Sequence, residues 1–152
     1  MIVVSACLAG RNCRFDKGSH PMQEIMEMVE EGKAILVCPE QLGGLPTPRP
    51  PSEIQKGDGD DVLDGKSRIV NVKGQDVTNN FIKGAFESYR IVMESGAKKA
   101  ILKSRSPACG VGQIYDGSFT GSLKKGNGIA SALFIRSGFK VISDEEFQEK
   151  GV

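Results

Sequence analysis

Apolar residues along this chain come in short uninterrupted runs that alternate with stretches of helical period. Residues 2–6 (IVVSA), 34–37 (AILV), 100–103 (AILK) and 140–143 (KVIS) are runs of the first kind and read as buried strands. Between the first two runs, Met22, Ile25, Met26 and Val29 recur at helical spacing. Ser19 or His20 is placed to cap that helix, Pro21 falls in its first turn, and Gly32 stops it. The clearest helix takes Asp76 or Thr78 as its cap. Its apolar stripe is Phe81, Ile82, Ala85, Phe86, Tyr89, Val92 and Met93, and Gly96 ends it. Residues 129–135 read as a further helix closed by Ser137 and Gly138. Residues 68–72 read as a short strand or hairpin arm, and the last residues as a short helix.

Strands that alternate with helices imply a parallel sheet built from right-handed crossovers. The expected fold is α/β: a three-layer, Rossmann- or flavodoxin-like domain with a mostly parallel sheet, one domain over residues 1–152. Two segments carry little periodicity. Residues 38–67 form a long Pro- and Gly-rich loop, and residues 104–128 a Ser-, Pro- and Gly-containing one. Loops of this length inside a compact domain are usually functional. Neither GGLPTP nor GNGIA follows a strand at the spacing of a dinucleotide fingerprint, and there is no Walker pattern.

Composition narrows the function classes. At 39% hydrophobic and 26% charged residues, the chain is not a disordered one. Lys plus Arg number 20 against 19 Asp plus Glu, so bulk charge does not hold long nucleic acid and only a local basic pocket remains open. No apolar run approaches the roughly 18 residues of a membrane span. The start MIVVSACLAGR lacks a basic n-region and a long apolar h-region, so a cytoplasmic protein with no membrane partner is expected. In a reducing compartment, four Cys are thiols or metal ligands before they are disulfides.

The cysteines fall in a telling order. Cys7 directly follows the first strand, Cys38 directly follows the second, and Cys109 lies in the loop after the third. In an open parallel sheet the carboxyl ends of the strands share one edge, and ligands bind there. Three soft thiolates meeting at that edge suit an iron–sulfur cluster or zinc. Three ligands instead of four leave one metal position open, as catalysis requires. Cys13 complicates this, because as a fourth ligand it closes the site. The plainer alternative is that each Cys is a small buried hydrophobe. His20, the only histidine, is read as a helix-start residue and not as a ligand or base.

The segments SACLAG, CPEQLGGLPTPRPPSEI, DVTNNFIKGA, ILKSRSPACG, YDGSFTG and GNGIASALF together resemble the thiouracil desulfidase family over nearly the whole chain. That resemblance implies a 4Fe–4S cluster held by three cysteines with one open iron. Carried over residue by residue, the ligands are Cys7, Cys38 and Cys109, and Cys13 is left out. Where relatives read SPSCG, this chain reads SPACG, which removes Ala108 as a hydroxyl candidate and puts weight on Ser106. The resemblance further implies a small-molecule substrate, a thiolated uracil base or its nucleotide (free thiouracil or 4-thiouridine monophosphate), and not intact tRNA. The near-neutral charge points the same way. The oligomeric state stays open.

Within that frame Glu40, two residues past Cys38, is the expected base for the attacking water. Ser106 is expected to hydrogen-bond substrate or relay a proton, or else to fold its own turn. Lys103 ends a strand on the active edge and is expected to neutralise cluster or phosphate charge, unless it points to water. Arg49, between Pro48 and Pro50, is expected to present a guanidinium to phosphate, or else to pair with Glu53. Gly110 opens the Gly-rich segment whose N–H groups are offered to a phosphate, and GNGIA starts a helix whose N-terminus favours anions. The competing classes are an iron–sulfur or zinc sensor or electron carrier, which needs a fourth ligand, and an RNA-binding module without chemistry.

Overall fold

The computed structural model describes residues 1–151. Four short strands form a parallel sheet: β1 (Ile2–Ser5), β2 (Ala34–Val37), β5 (Lys99–Leu102) and β8 (Lys140–Ser143), in the order β2-β1-β5-β8. Val3 stands beside Ile35 on one side and Ala100 on the other, so the three strands that lead toward cysteines are immediate neighbours. Their carboxyl ends lie together at one edge.

Burial on both faces explains why these strands read as continuous apolar runs. Side chains alternate across a strand. Val3, Ala100 and Leu102 join one core with helices α4 (Thr78–Met93) and α5 (Ile129–Arg136), through Phe81, Ala85, Val92, Ile129 and Phe134. Val4, Ile101 and Ile142 join the other core with α1 (Gln23–Glu30) and α6 (Asp144–Lys150), through Ile25 and Phe147. The result is the three-layer α/β arrangement that the alternation implied. Helix α5 is buried nearly all round, which fits its almost unbroken apolar sequence.

Several local expectations are corrected. Helix α1 starts at Gln23, behind Met22, with no side-chain cap, so Ser19 and His20 are not its caps. The amides of His20 and Met22 instead donate to the carbonyls of Cys7 and Leu8, each at 2.9 Å, which holds the preceding loop against the end of β1. On α4, Phe86 and Met93 are half exposed, whereas Phe81, Ala85 and Val92 are buried, so the packed stripe is narrower than the apolar pattern. Asp76 does act at this helix start: its carboxylate accepts from the Thr78 amide at 2.9 Å.

The segment 38–67 is not one loop. It holds α2 (Pro39–Leu42), β3 (Ser52–Ile54) and α3 (Gly59–Leu63). Strand β3 pairs antiparallel with β4 (Ile69–Asn71), so the hairpin-arm reading of residues 68–72 is the correct one. The segment 104–128 likewise contains the antiparallel pair β6 (Gln113–Tyr115) and β7 (Leu123–Lys125). These pieces were missed because each is only three to five residues long, too short for a period to show. Close packing holds α2 in place. Added methyl groups at Gly43 and Gly84 would run into the backbone carbonyls of Asn80 and Pro39, so α2 and α4 touch through bare backbone.

Candidate active site

A cavity of about 560 Å³ opens at the carboxyl edge of the sheet. Cys7 enters it from a 3₁₀ turn, Ala6–Ala9, that leaves β1 and ends at Gly10 with φ +88°. Cys38 enters from the end of β2, as the residue that precedes α2. Cys109 enters from the loop after β5. The three cysteines, remote in sequence, therefore line one space. So does Cys13, which the sequence reading left out. All four are free thiols; Cys7, Cys13 and Cys109 are buried, and Cys38 is partly exposed.

The thiols touch one another. Cys13 is in hydrogen-bond contact with both Cys7 and Cys38. The Cys38 S–H also lies 3.8 Å from the Cys13 carbonyl oxygen, its acceptor. At Cys13 the bond from Cys38 favours the thiolate, but contact with Cys7, burial and the nearby charges outweigh it, and the pKa is pushed up to about 11. Contact with Cys13, then burial, then Glu40 push the Cys38 thiol up further. Burial is the main cause that raises Cys109, with the Glu40 charge adding to it, while a hydrogen bond from Ser5 opposes both. At neutral pH these three are uncharged thiols. Thiolates in such a pocket need a positive partner, because an unpaired buried charge is costly.

Among the described residues, no three His, Cys, Asp or Glu side chains are gathered tightly enough to chelate a single ion. A 4Fe–4S cube asks for a different arrangement, with thiolates at its corners and the body of the cube between them. Thiols that reach one cavity from the chain following three neighbouring strands fit that demand in donor chemistry.

The loop bearing Cys109 is clamped from several sides. The Ser106 hydroxyl oxygen accepts from the Cys109 amide at 2.7 Å. The Ser131 hydroxyl, on buried α5, donates to the Cys109 carbonyl at 2.8 Å. The amides of Ile129 and Ala130 donate to the carbonyls of Pro107 and Ala108 at 2.8 and 2.9 Å. The N-terminus of α5 thus grips its own chain, which corrects the expected anion site at GNGIA. Gly110 is corrected in the same way. Its N–H donates to the Ser106 carbonyl at 2.9 Å, and it does not line the cavity. Its lack of a side chain matters for packing, since a methyl group there would press on Ile114 and on the Ser106 carbonyl.

Glu40 and Arg49 both line the cavity and form a buried ion pair at 2.8 Å, with side-chain exposures of 17% and 4%. The guanidinium also donates to the carbonyls of Cys13 (2.9 Å) and Pro46 (3.2 Å) and to the Thr47 hydroxyl (3.0 Å). Its ion-pair partner is Glu40 instead of Glu53. Arg49 ties the base candidate on the Cys38 loop to the Cys13 loop. The Glu53 carboxylate, buried on β3, accepts from the amides of Gly117 and Phe119 at 2.9 and 3.1 Å. It holds Phe119, at φ +58°, against the cavity.

Lys103 and Ser106 line the cavity. Lys103 is also anchored: its ammonium lies 3.1 Å from the Ser104 hydroxyl and 3.6 Å from the Asp144 carboxylate. Asp144, buried at the start of α6, accepts from the Ser104 amide at 2.7 Å and fixes the turn that leaves β5. Asp144 escaped the sequence reading altogether, Glu53 entered it only as a partner for Arg49, and Cys13 only as a fourth ligand. The signal for Cys13 was that of a fourth thiol in the first loop. His20 lines the cavity from its exposed position ahead of α1.

Fold and site define an α/β protein with thiols clustered at the carboxyl edge of its sheet and a carboxylate and a lysine beside them. Comparison with known proteins is specific. The chain matches the model of the 2-thiouracil desulfurase family over residues 2–146 and belongs to that family. It is 45% identical over 150 residues to the uncharacterized protein YbbK of Bacillus subtilis, covering 98% of this chain and 99% of that one. It is also similar to a solved 4Fe–4S-dependent thiouracil desulfidase, TudS, with a TM-score of 0.86 and 39% identity over 97% of this chain and 93% of the other. Family and neighbour together support desulfidase chemistry with an iron–sulfur cofactor.

Proposed function

We propose that this chain replaces the sulfur of a thiolated uracil by oxygen without net oxidation or reduction, acting on 4-thiouridine monophosphate or free thiouracil. The observation that carries the reading is the convergence of Cys7, Cys38 and Cys109 from three neighbouring strand ends onto one cavity that also holds a carboxylate. Those three cysteines would hold a 4Fe–4S cluster. When bound, the cluster would supply Lewis-acid chemistry toward a soft thiocarbonyl sulfur.

The chain's own residues supply the remainder. The Glu40 carboxylate takes a proton from the water that adds to the ring carbon. Arg49 orients that carboxylate through the 2.8 Å ion pair, and it positions Glu40 instead of binding phosphate. Ser106 keeps its O–H proton after its oxygen has accepted from the Cys109 amide, so it has one donor left for substrate. Lys103, steadied by Asp144, supplies positive charge to the anionic side of the cavity. Phe119 and Tyr115 narrow the cavity and exclude water beside a planar ring.

One observation favours a second reading. Cys13 belongs to the same cluster of thiols, and as a fourth ligand it would close the site, as a sensor or electron carrier requires. Anaerobic reconstitution with iron and sulfide separates the two. The desulfidase reading expects Cys13→Ala to retain its iron count and its EPR signal after reduction, and to release sulfide from 4-thiouridine monophosphate. A carrier loses its cluster in that variant. Cys38→Ala should lose both cluster and sulfide release, and unchanged turnover in it defeats the proposal.

A further inference from the structure

We propose that, in the metal-free chain, Cys13 and Cys38 are a reversible disulfide-forming pair driven by a low-molecular-weight disulfide. The oxidation itself is independent of the function proposed above; only its effect on cluster loading rests on Cys38 being a ligand.

Three observations single out this pair. The Cys38 sulfur lies 3.8 Å from the Cys13 carbonyl oxygen, and the two thiols line the same cavity as neighbours. A disulfide of about 2.05 Å is therefore reached by a small closing movement of two side chains. Cys38 is the one thiol of the four that solvent reaches appreciably, so an oxidant entering the cavity meets it first. Cys13 is more buried and lies outside the proposed ligand set, which makes it the resolving thiol.

The chemistry balances in two exchanges. The Cys38 sulfur, giving up its proton, attacks a sulfur of the small disulfide. A Cys38 mixed disulfide forms and one small thiol leaves. The Cys13 sulfur, giving up its proton, then attacks the Cys38 sulfur. The Cys13–Cys38 bond forms, and the second small thiol leaves with a proton. Two protein thiols are oxidised, and one small disulfide is reduced to two thiols. The product is buried and compact, and it keeps Cys38 from advancing to irreversible sulfinic or sulfonic acid. A small thiol in excess reverses it.

Trypsin separates every cysteine, because Lys and Arg fall between them: Cys7 in residues 1–11, Cys13 in 12–14, Cys38 in 34–56 and Cys109 in 106–124. The metal-free chain is treated with glutathione disulfide, alkylated, digested without reduction and mapped by mass spectrometry. The expected product is the cross-link of 12–14 to 34–56, with Cys7 and Cys109 alkylated. In Cys13→Ser, whose fold is checked by circular dichroism, Cys38 should instead keep a glutathione adduct that excess glutathione removes. A wild-type map with Cys13 alkylated and glutathione still on Cys38 overturns the proposal, as does a cross-link through Cys7. Iron uptake is measured on the same samples. If the cross-link forms and the oxidised chain still loads a full cluster, the disulfide stands and the assignment of Cys38 as a ligand falls.

Discussion

The Glu40–Arg49 pair offers the sharpest physical test of the site. Arg49→Met keeps an unbranched side chain of similar length but removes the charge and the donor fork. It leaves the Glu40 carboxylate, 17% exposed, without its 2.8 Å partner, and leaves the Cys13 carbonyl without its 2.9 Å donor. Breaking one side of a buried pair costs about 3–5 kcal/mol, because the other charge remains desolvated. At this chain length 1 kcal/mol moves the melting temperature by roughly 2–4 °C, so a fall of roughly 6–20 °C is expected. The residual exposure of Glu40 places the result toward the lower end. Thermal unfolding of the reduced, metal-free chain, with urea unfolding alongside, measures it. The double variant Arg49→Met/Glu40→Gln should recover at least half of the loss, because the stranded charge is gone. A single variant within about 1 kcal/mol of wild type, or a double variant whose losses simply add, refutes the claim that these groups act as a buried pair.

Other parts of the site make their own demands. Gly84→Ala drives a methyl group into the Pro39 carbonyl; it should destabilise by about 1–3 kcal/mol and reduce iron loading, because α2 carries the Cys38 loop. Normal iron content in a well-folded Gly84→Ala would break that link. Asp144→Ala leaves the Ser104 amide without its 2.7 Å acceptor; a loss of about 1–3 kcal/mol in urea unfolding is expected, and a loss near zero counts against the anchoring role. Ser131→Ala removes the 2.8 Å bond to the Cys109 carbonyl from a buried site; about 1–2 kcal/mol is expected, read by the unfolding midpoint at unchanged slope. Glu53→Ala releases the amides of Gly117 and Phe119; KM for the thiolated uracil should rise several-fold more than kcat falls, and an equal change in both places Glu53 in the chemical step instead.

Much of the architecture was legible because its causes are local. A run such as IVVS, apolar at successive positions, is a strand buried on both faces, and strands alternating with helices leave few topologies. Chain direction alone then places the residues that follow β1, β2 and β5 on one edge, which brings Cys7, Cys38 and Cys109 together. Glu40 followed as a neighbour of Cys38. The three-residue strands and α2 were invisible because so few residues hold no measurable period. GNGIA misled for a related reason. A helix start does expose N–H groups, but here the carbonyls of Pro107 and Ala108 had already taken them.

What only the tertiary structure decided are the partnerships across long separations. Arg49 could have faced phosphate, Glu53 or Glu40; packing chose Glu40 and, 36 residues away in sequence, the carbonyl of Cys13. Cys13 could have lain anywhere in its loop; it lies against Cys7 and Cys38. Period and chain direction follow from each residue's own backbone and from burial, so sequence carries them. Which polar group meets which inside a cavity depends on how separate segments stack, and that is settled only when the whole core closes and every buried donor and charge must find a partner at once.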